Sequence, residues 1–198
     1  ACIQKNKPVF VDKPFTHKAS QAHALAHASL ESQVPLIGGS TLCYDPQIPA
    51  LDISERTPFF ATLAYRADPN SLFGGYRFYG SHLTDLCAAL FGAQAVSTRA
   101  FHIQDAVNVL VKYPNRTVIL HSHPDFEKPE ISFSDGKRLK KITLDDGNCY
   151  QNGMTAFVRA IQSSQPDPVK LDELVFSTNL LNGILKSLET GEEIDLAQ

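Results

Sequence analysis

Three short segments hold side chains whose types and order could do chemistry: Tyr65-Arg66-Ala67-Asp68, Val96-Ser97-Thr98-Arg99 and Pro129-Glu130-Ile131-Ser132. The first sets an arginine at the end of an apolar run. A guanidinium there suits phosphate or carboxylate recognition, because its planar donors can bind two oxygens at once. The second places two hydroxyls at the end of an extended stretch, and the third an acid beside a β-branched residue. Each taken alone has an ordinary structural reading: an Arg–Asp surface pair, a strand-end Ser-Thr, an exposed glutamate. A fourth segment, His121-Ser122-His123 followed by Ser132 and Asp135, could supply three zinc ligands and leave a position for water. His23 and His27 have the i,i+4 spacing of a metal pair, but no nearby carboxylate completes a set, and they read as a surface helix face.

Taken in order, the arginine, hydroxyl and acid segments resemble the mono-ADP-ribosyltransferase toxins of the cholera and pertussis type. Leu63 to Asp68 looks like that family's Tyr-Arg-x-Asp strand, Ser71 to Tyr76 with Gly80 like its Phe-x-x-Gly-Phe loop, and Ala95 to Thr98 like its hydroxyl strand. His123-Pro124-Asp125 and Glu130-Ile131-Ser132 look like the segment that carries the catalytic glutamate, so the likeness covers about residues 59 to 145. The resemblance implies NAD as a substrate whose nicotinamide–ribose bond is cleaved, with ADP-ribose passed to a protein and no metal required. Arg66 would bind an NAD phosphate, Ser97 would orient Glu130, and Glu130 would hold the ribose 2′-hydroxyl and stabilise the positive charge as the bond breaks. Ala67, Thr98 and His82 would also contact NAD, His82 at the ribose. A secreted toxin or injected effector is implied, with a protein substrate in a target cell and an activating or delivery partner. Lys128 stands where members that modify arginine carry an acid, which leaves the acceptor residue open.

A rival resemblance reads the same stretch differently. His121-x-His123 with a downstream Ser-x-x-Asp is similar to zinc-dependent isopeptidase-like metalloproteases, with Asp135 as third ligand, although the interval to Ser132 is one residue longer than the usual pattern. Glu55, in a proline-rich stretch, is the upstream acid that could serve as general base. A noncatalytic interaction domain is the third reading.

The elements that must position these groups can be read from periodicity. Residues 1 to 19 form an extended polar lead-in, 21 to 33 a helix, and 35 to 58 a long loop rich in Pro, Gly, Ser and Asp. Strands are expected over 59–66, 95–98, 117–121, 130–133 and 141–144. Helices are expected over 82–91, with Leu83, Leu86, Cys87 and Leu90 on one stripe, and over 102–113, 154–162 and 171–189. Irregular alternation of strands and helices, closed by helices, predicts an α+β fold: a compact split mixed β core with flanking helices and a C-terminal helical portion. The expected division is a lead-in over 1–58, a catalytic core over 59–150 and a helical extension over 151–198. No Gly-rich strand-turn-helix fingerprint is present, which argues against a doubly wound nucleotide fold.

Composition bounds these readings. The 198 residues are 43% hydrophobic and 20% charged, enough to bury a core without staples. A net charge of −3 offers no broad basic footprint for nucleic acid, and the Lys137, Arg138, Lys140, Lys141 cluster reads as a solvated turn or edge. No apolar run reaches the length of a membrane span. Cys2, Cys43, Cys87 and Cys149 lack C-x-x-C spacing, against a four-thiolate site, and one disulfide between two of Cys2, Cys43 and Cys149 is left open.

Overall fold

Val107, Val109, Val111 and Tyr113 alternate with Asn108, Leu110 and Lys112, and that period of two builds a strand where the sequence reading placed a helix over 102–113. In the computed structural model, which describes residues 1–51, 53, 60–134 and 138–196, β4 (Ser97–Ile103) and β5 (Ala106–Tyr113) form a hairpin. Gln104 takes the left-handed conformation in its turn, at φ 53. Alternation with valine at Val107, Val109 and Val111 and an aromatic at Tyr113 on the buried face overrides a pattern that also fits one helical face.

The hairpin belongs to a seven-stranded sheet with β3 (Phe60–Tyr65), β6 (Arg116–Ser122), β7 (Glu130–Ser134), β8 (Leu139–Thr143) and the short β9 (Ile194–Asp195). The spatial order is β8-β7-β3-β6-β5-β4-β9; only β3 and β6 run parallel, and the remaining pairs are antiparallel. A second, two-stranded sheet pairs β1 (Val9–Asp12) in parallel with β2 (Leu36–Gly39), joined through α1 (Ala19–Ser32). Gly38 is required there, since a Cβ would lie 2.0 Å from the Val11 carbonyl oxygen. A short α2 (Gln47–Ala50) follows.

Helix α3 (Tyr76–Phe91) begins six residues ahead of the expected start, with Gly75 at its N-cap, and keeps Leu83, Leu86, Cys87 and Leu90 buried as the stripe predicts. The chain closes with α4 (Cys149–Ser163) and α5 (Pro168–Thr190). Asp167 caps α5 by accepting from Val169 N and Lys170 N, and Pro168 sits where no helical N–H partner is needed. Leu180, Leu181 and Ile184 of α5 and the α3 stripe bury one face of the large sheet over Leu63, Val109, Val111, Val118 and Leu120. Each such fully buried side chain contributes on the order of 1.5–3 kcal/mol. Earlier on α5, Leu171, Leu174 and Val175 pack with Ala22, Ala26, Val34 and Leu36 in a second core around β1, α1 and β2. The architecture is the α+β arrangement expected, a mostly antiparallel central sheet with flanking helices.

All four cysteines are free, so no disulfide joins Cys2, Cys43 or Cys149. Among the described residues, no helix is long and apolar enough to cross a membrane.

Candidate functional site

The expected transferase residues are spread across the sheet. Ser97 begins β4 and Glu130 begins β7, with β5, β6 and β3 between them. At about 4.8 Å per strand step they stand roughly 19 Å apart across the sheet, too far for one to orient the other. Ser97 instead donates to Glu193 Oε1 at 2.5 Å, and Glu130 pairs with Lys141 at 2.9 Å. Thr98 is buried and donates to the Leu110 carbonyl; Ala67 is buried as well. Arg66 follows β3 on the Glu130 side, exposed, with Nε donating to the Phe126 carbonyl at 3.2 Å.

The two histidines of the zinc reading lie at the end of β6 and just beyond it. His121 Nδ1 is 2.6 Å from Asn108 Oδ1, Phe126 packs against both rings, and His123 Nδ1 accepts from Asp125 N. Asp135, Glu55 and Lys137 lie outside the described residues. Among those described, no group of three His, Cys, Asp or Glu is gathered as a metal site.

His82 alone of the expected residues enters a polar cluster built from several elements. Lys13 directly follows β1, Ser40 directly follows β2, and Tyr65 ends β3. The C-terminal ends of strands from both sheets therefore meet the first half of α3, the kind of crevice where α/β proteins bind ligands. His82 Nδ1 lies 2.7 Å from Ser40 Oγ, and the Tyr65 ring packs edge-on against the imidazole at 5.4 Å. Tyr65 donates its hydroxyl proton to Asp146 Oδ2 at 3.0 Å. Asp85, one turn after His82, accepts from Ser40 N at 2.6 Å and from the Ser177 hydroxyl of α5.

Lys13 is 9% exposed, and its ammonium donates to the Phe78 carbonyl at 3.0 Å while lying 3.3 Å from the centre of the Phe78 ring. Phe78 precedes His82 by four residues, so Lys13 and His82 share one face of α3. No carboxylate among the described residues forms an ion pair with Lys13. An ammonium has three donors, so two remain for a ligand oxygen. Burial lowers the Lys13 pKa, with Asp12 and Asp85 opposing. Burial, aided by the Lys13 charge, pushes His82 down to about 3, so its imidazole is neutral near pH 7. Burial lifts Asp85 to about 6 against the Ser177 and Ser40 hydrogen bonds.

Lys13, Ser40, Tyr65 and Asp85 were missed in the sequence because their segments read as lead-in, loop, strand end and core stripe. The available signal was a short apolar run closed by a polar residue, Val9 to Lys13 and Leu36 to Ser40. Their pairing across 26 residues has no local mark.

No protein-family model matches the chain, and no curated protein matches it in sequence. Its fold, however, is shared with solved dehydrogenases. GenD2 from gentamicin A biosynthesis, in complex with NAD, superposes with a TM-score of 0.81 at 17% identity over 98% of this chain and 72% of that one. A myo-inositol dehydrogenase from Corynebacterium glutamicum gives 0.78 at 13% identity, over 99% and 75%. The scyllo-inositol dehydrogenase from Lactobacillus casei, with bound NAD(H) and scyllo-inositol, gives 0.74 at 11%, over 97% and 74%.

Two of these neighbours are inositol dehydrogenases, and GenD2 and the Lactobacillus casei enzyme were solved with NAD or NAD(H) bound. The likeness to ADP-ribosyltransferase toxins is thereby corrected: the short motifs of Arg66, Ser97 and Glu130 occur on a different fold, along with the toxin and effector roles drawn from them. The zinc-protease and noncatalytic readings find no support in these neighbours either. NAD survives in a changed role, bound by relatives of the fold as a redox cofactor and not as a group donor.

Proposed function

We propose that this chain supplies the substrate-binding and proton-handling side of an NAD(P)-linked dehydrogenase acting on a secondary alcohol of a cyclic polyol or sugar. The observation that carries the reading is the convergence of Lys13 and His82 at the C-terminal ends of β1 and β2, in a fold whose solved examples include inositol dehydrogenases. The residues fit the reacting end of such a cofactor, where the buried Lys13 amino group, with hydrogen-bonding capacity beyond its bond to Phe78, and a neutral imidazole can meet one alcohol oxygen. A pyrophosphate would have to be held elsewhere than at this cluster. The only strand-helix-strand unit with parallel strands among the described residues joins β1 to α1 through Lys13 to Lys18, a link without glycine.

Oxidising an alcohol requires a base for the hydroxyl proton and an acceptor for the carbon-bound hydride. The nicotinamide, when bound, supplies the hydride acceptor. Lys13 has the base's attributes, because burial lowers its pKa and makes the neutral amine accessible nearer neutrality. As the proton leaves, negative charge grows on oxygen, and the Lys13 ammonium and a His82 N–H stabilise it in a site with little water.

The test is reduction of NAD or NADP by the full chain with a panel of cyclic polyols. Lys13→Met is expected to lower turnover by roughly 10²–10⁴. No reduced cofactor with any polyol, or undiminished turnover in that variant, would refute the proposal.

A further inference from the structure

Leu72 is fully exposed and Phe73 is 73% exposed, and both stand in the loop that joins β3 to α3, ahead of the helix whose first half carries Phe78 and His82. Large apolar groups held side by side in water mark a surface that something apolar covers. The loop holds them firmly. Asp68 accepts from Asn70 N with its carboxylate and from Ser71 N with its carbonyl, Ser71 Oγ accepts from Phe73 N, and the Ser71 carbonyl accepts from Gly75 N. Gly74 at φ 107 and Gly75 at φ 61 take backbone angles that favour glycine and so fix the entry into α3.

This patch is continuous with the cluster at Lys13. The Phe73 and Phe78 ring centres are 5.7 Å apart, those of Phe78 and Tyr79 4.9 Å, and Lys13 Nζ lies over Phe78 at 3.3 Å from its centre. Most polar atoms of the cluster are committed to one another: Tyr65 to Asp146, Ser40 to His82, and Asp85 to Ser40 N and Ser177. An alcohol oxygen at Lys13 and His82 therefore has polar company. A second hydroxyl turned toward Phe78 and Phe73 would lose its water and gain no partner from these side chains. An aryl or bulky alkyl group in the same place gains contact with the rings.

We infer that Leu72, Phe73 and Phe78 form an apolar subsite beside the Lys13 and His82 cluster, which selects a sugar or cyclic polyol carrying an aryl or comparably bulky apolar substituent over the bare polyol. The placement of the alcohol rests on the dehydrogenase reading above; the apolar subsite does not. Leu72 and Phe73 meet only the substituent, so their truncation weakens binding and leaves proton transfer at Lys13 unchanged.

Saturation-transfer NMR of the full chain with phenyl and methyl β-glucoside reads the subsite without cofactor. The phenyl glycoside is expected to bind roughly tenfold or more tightly than the methyl one. That preference should be lost in Phe73→Ala, reduced in Leu72→Ala and kept in Phe73→Tyr. Phe101→Ala removes an exposed ring on β4, outside the cluster, and is expected to change nothing. Binding of neither glycoside, equal affinity for both, a preference that survives Phe73→Ala, or one that Phe101→Ala abolishes overturns the inference. So does an equal loss of nicotinamide mononucleotide affinity in Phe73→Ala, which would assign the rings to the cofactor. In turnover, Phe73→Ala is expected to raise KM for the phenyl glycoside about tenfold with kcat within about twofold. Should the native chain oxidise no alcohol, the dehydrogenase reading fails, and the binding preference alone decides whether the subsite exists.

Discussion

The sequence marks His82 as a contact to the ribose of NAD, whereas nothing local marks Lys13 and Ser40. A histidine is visible as chemistry anywhere in a chain. A lysine becomes informative only when it is buried without a counter-ion, and burial is a tertiary property. The His82 environment has a measurable consequence for stability. Its folded pKa is depressed from 6.5 to about 3, so the stability it contributes is complete above the unfolded value of 6.5. That stability is lost as pH falls toward 3, at about 1.4 kcal/mol per pH unit. Asp85 acts in the opposite direction. Its folded pKa is raised from 3.8 to about 6, so its contribution is complete below 3.8 and is lost as pH rises through 6. Denaturant melts of the native chain and His82→Gln between pH 4 and 7 are expected to show a difference that narrows as pH falls. A constant difference would mean that His82 titrates normally in the fold. Asp85→Asn keeps an acceptor for Ser40 N and a donor for Ser177, and is expected to fold without the Asp85 slope.

Elements were legible where one period dominated. The α3 stripe of Leu83, Leu86, Cys87 and Leu90 is buried as read, and the strands over residues 60–65, 116–122, 130–134 and 139–143 lie within two residues of expectation. Residues 102–113 failed because Val107, Val109 and Val111 fit both a strand face and, with neighbouring apolar residues, a helical one. Pairing with β4 and β6 satisfied the strand's backbone groups on both sides and settled the matter. The two-stranded sheet offers a sharper test. Gly38→Ala places a Cβ against the Val11 carbonyl, and β1 must move away from β2 to admit it. A loss of about 2–4 kcal/mol is expected in denaturant unfolding, accompanied by loss of polyol oxidation as Lys13 and Ser40 separate. A near-neutral Gly38→Ala would mean that the strands approach less closely than described.

At the scale of the molecule, α5 joins the two cores: Leu171 and Leu174 serve the β1-α1-β2 unit, and Leu180, Leu181 and Ile184 the large sheet. One continuous helix crossing both predicts one unfolding transition. Leu171→Ala and Leu181→Ala should each lower that shared transition by roughly 2–5 kcal/mol, with fluorescence and circular dichroism coincident. Two separate transitions in Leu171→Ala would show that the cores unfold independently.

The α+β class, most helices and five of the strands were determined by the chain's own periodicity and residue types, which act over a few neighbouring positions. The site was decided by the tertiary structure. Lys13, Ser40, Tyr65 and His82 come from segments up to 69 residues apart in the chain, and only strand pairing and helix packing bring them around one end of α3, with Ser40 and His82 in hydrogen-bond contact. The same long-range pairing put three strands between Ser97 and Glu130. Motif order along a chain carries no information about which strands become neighbours.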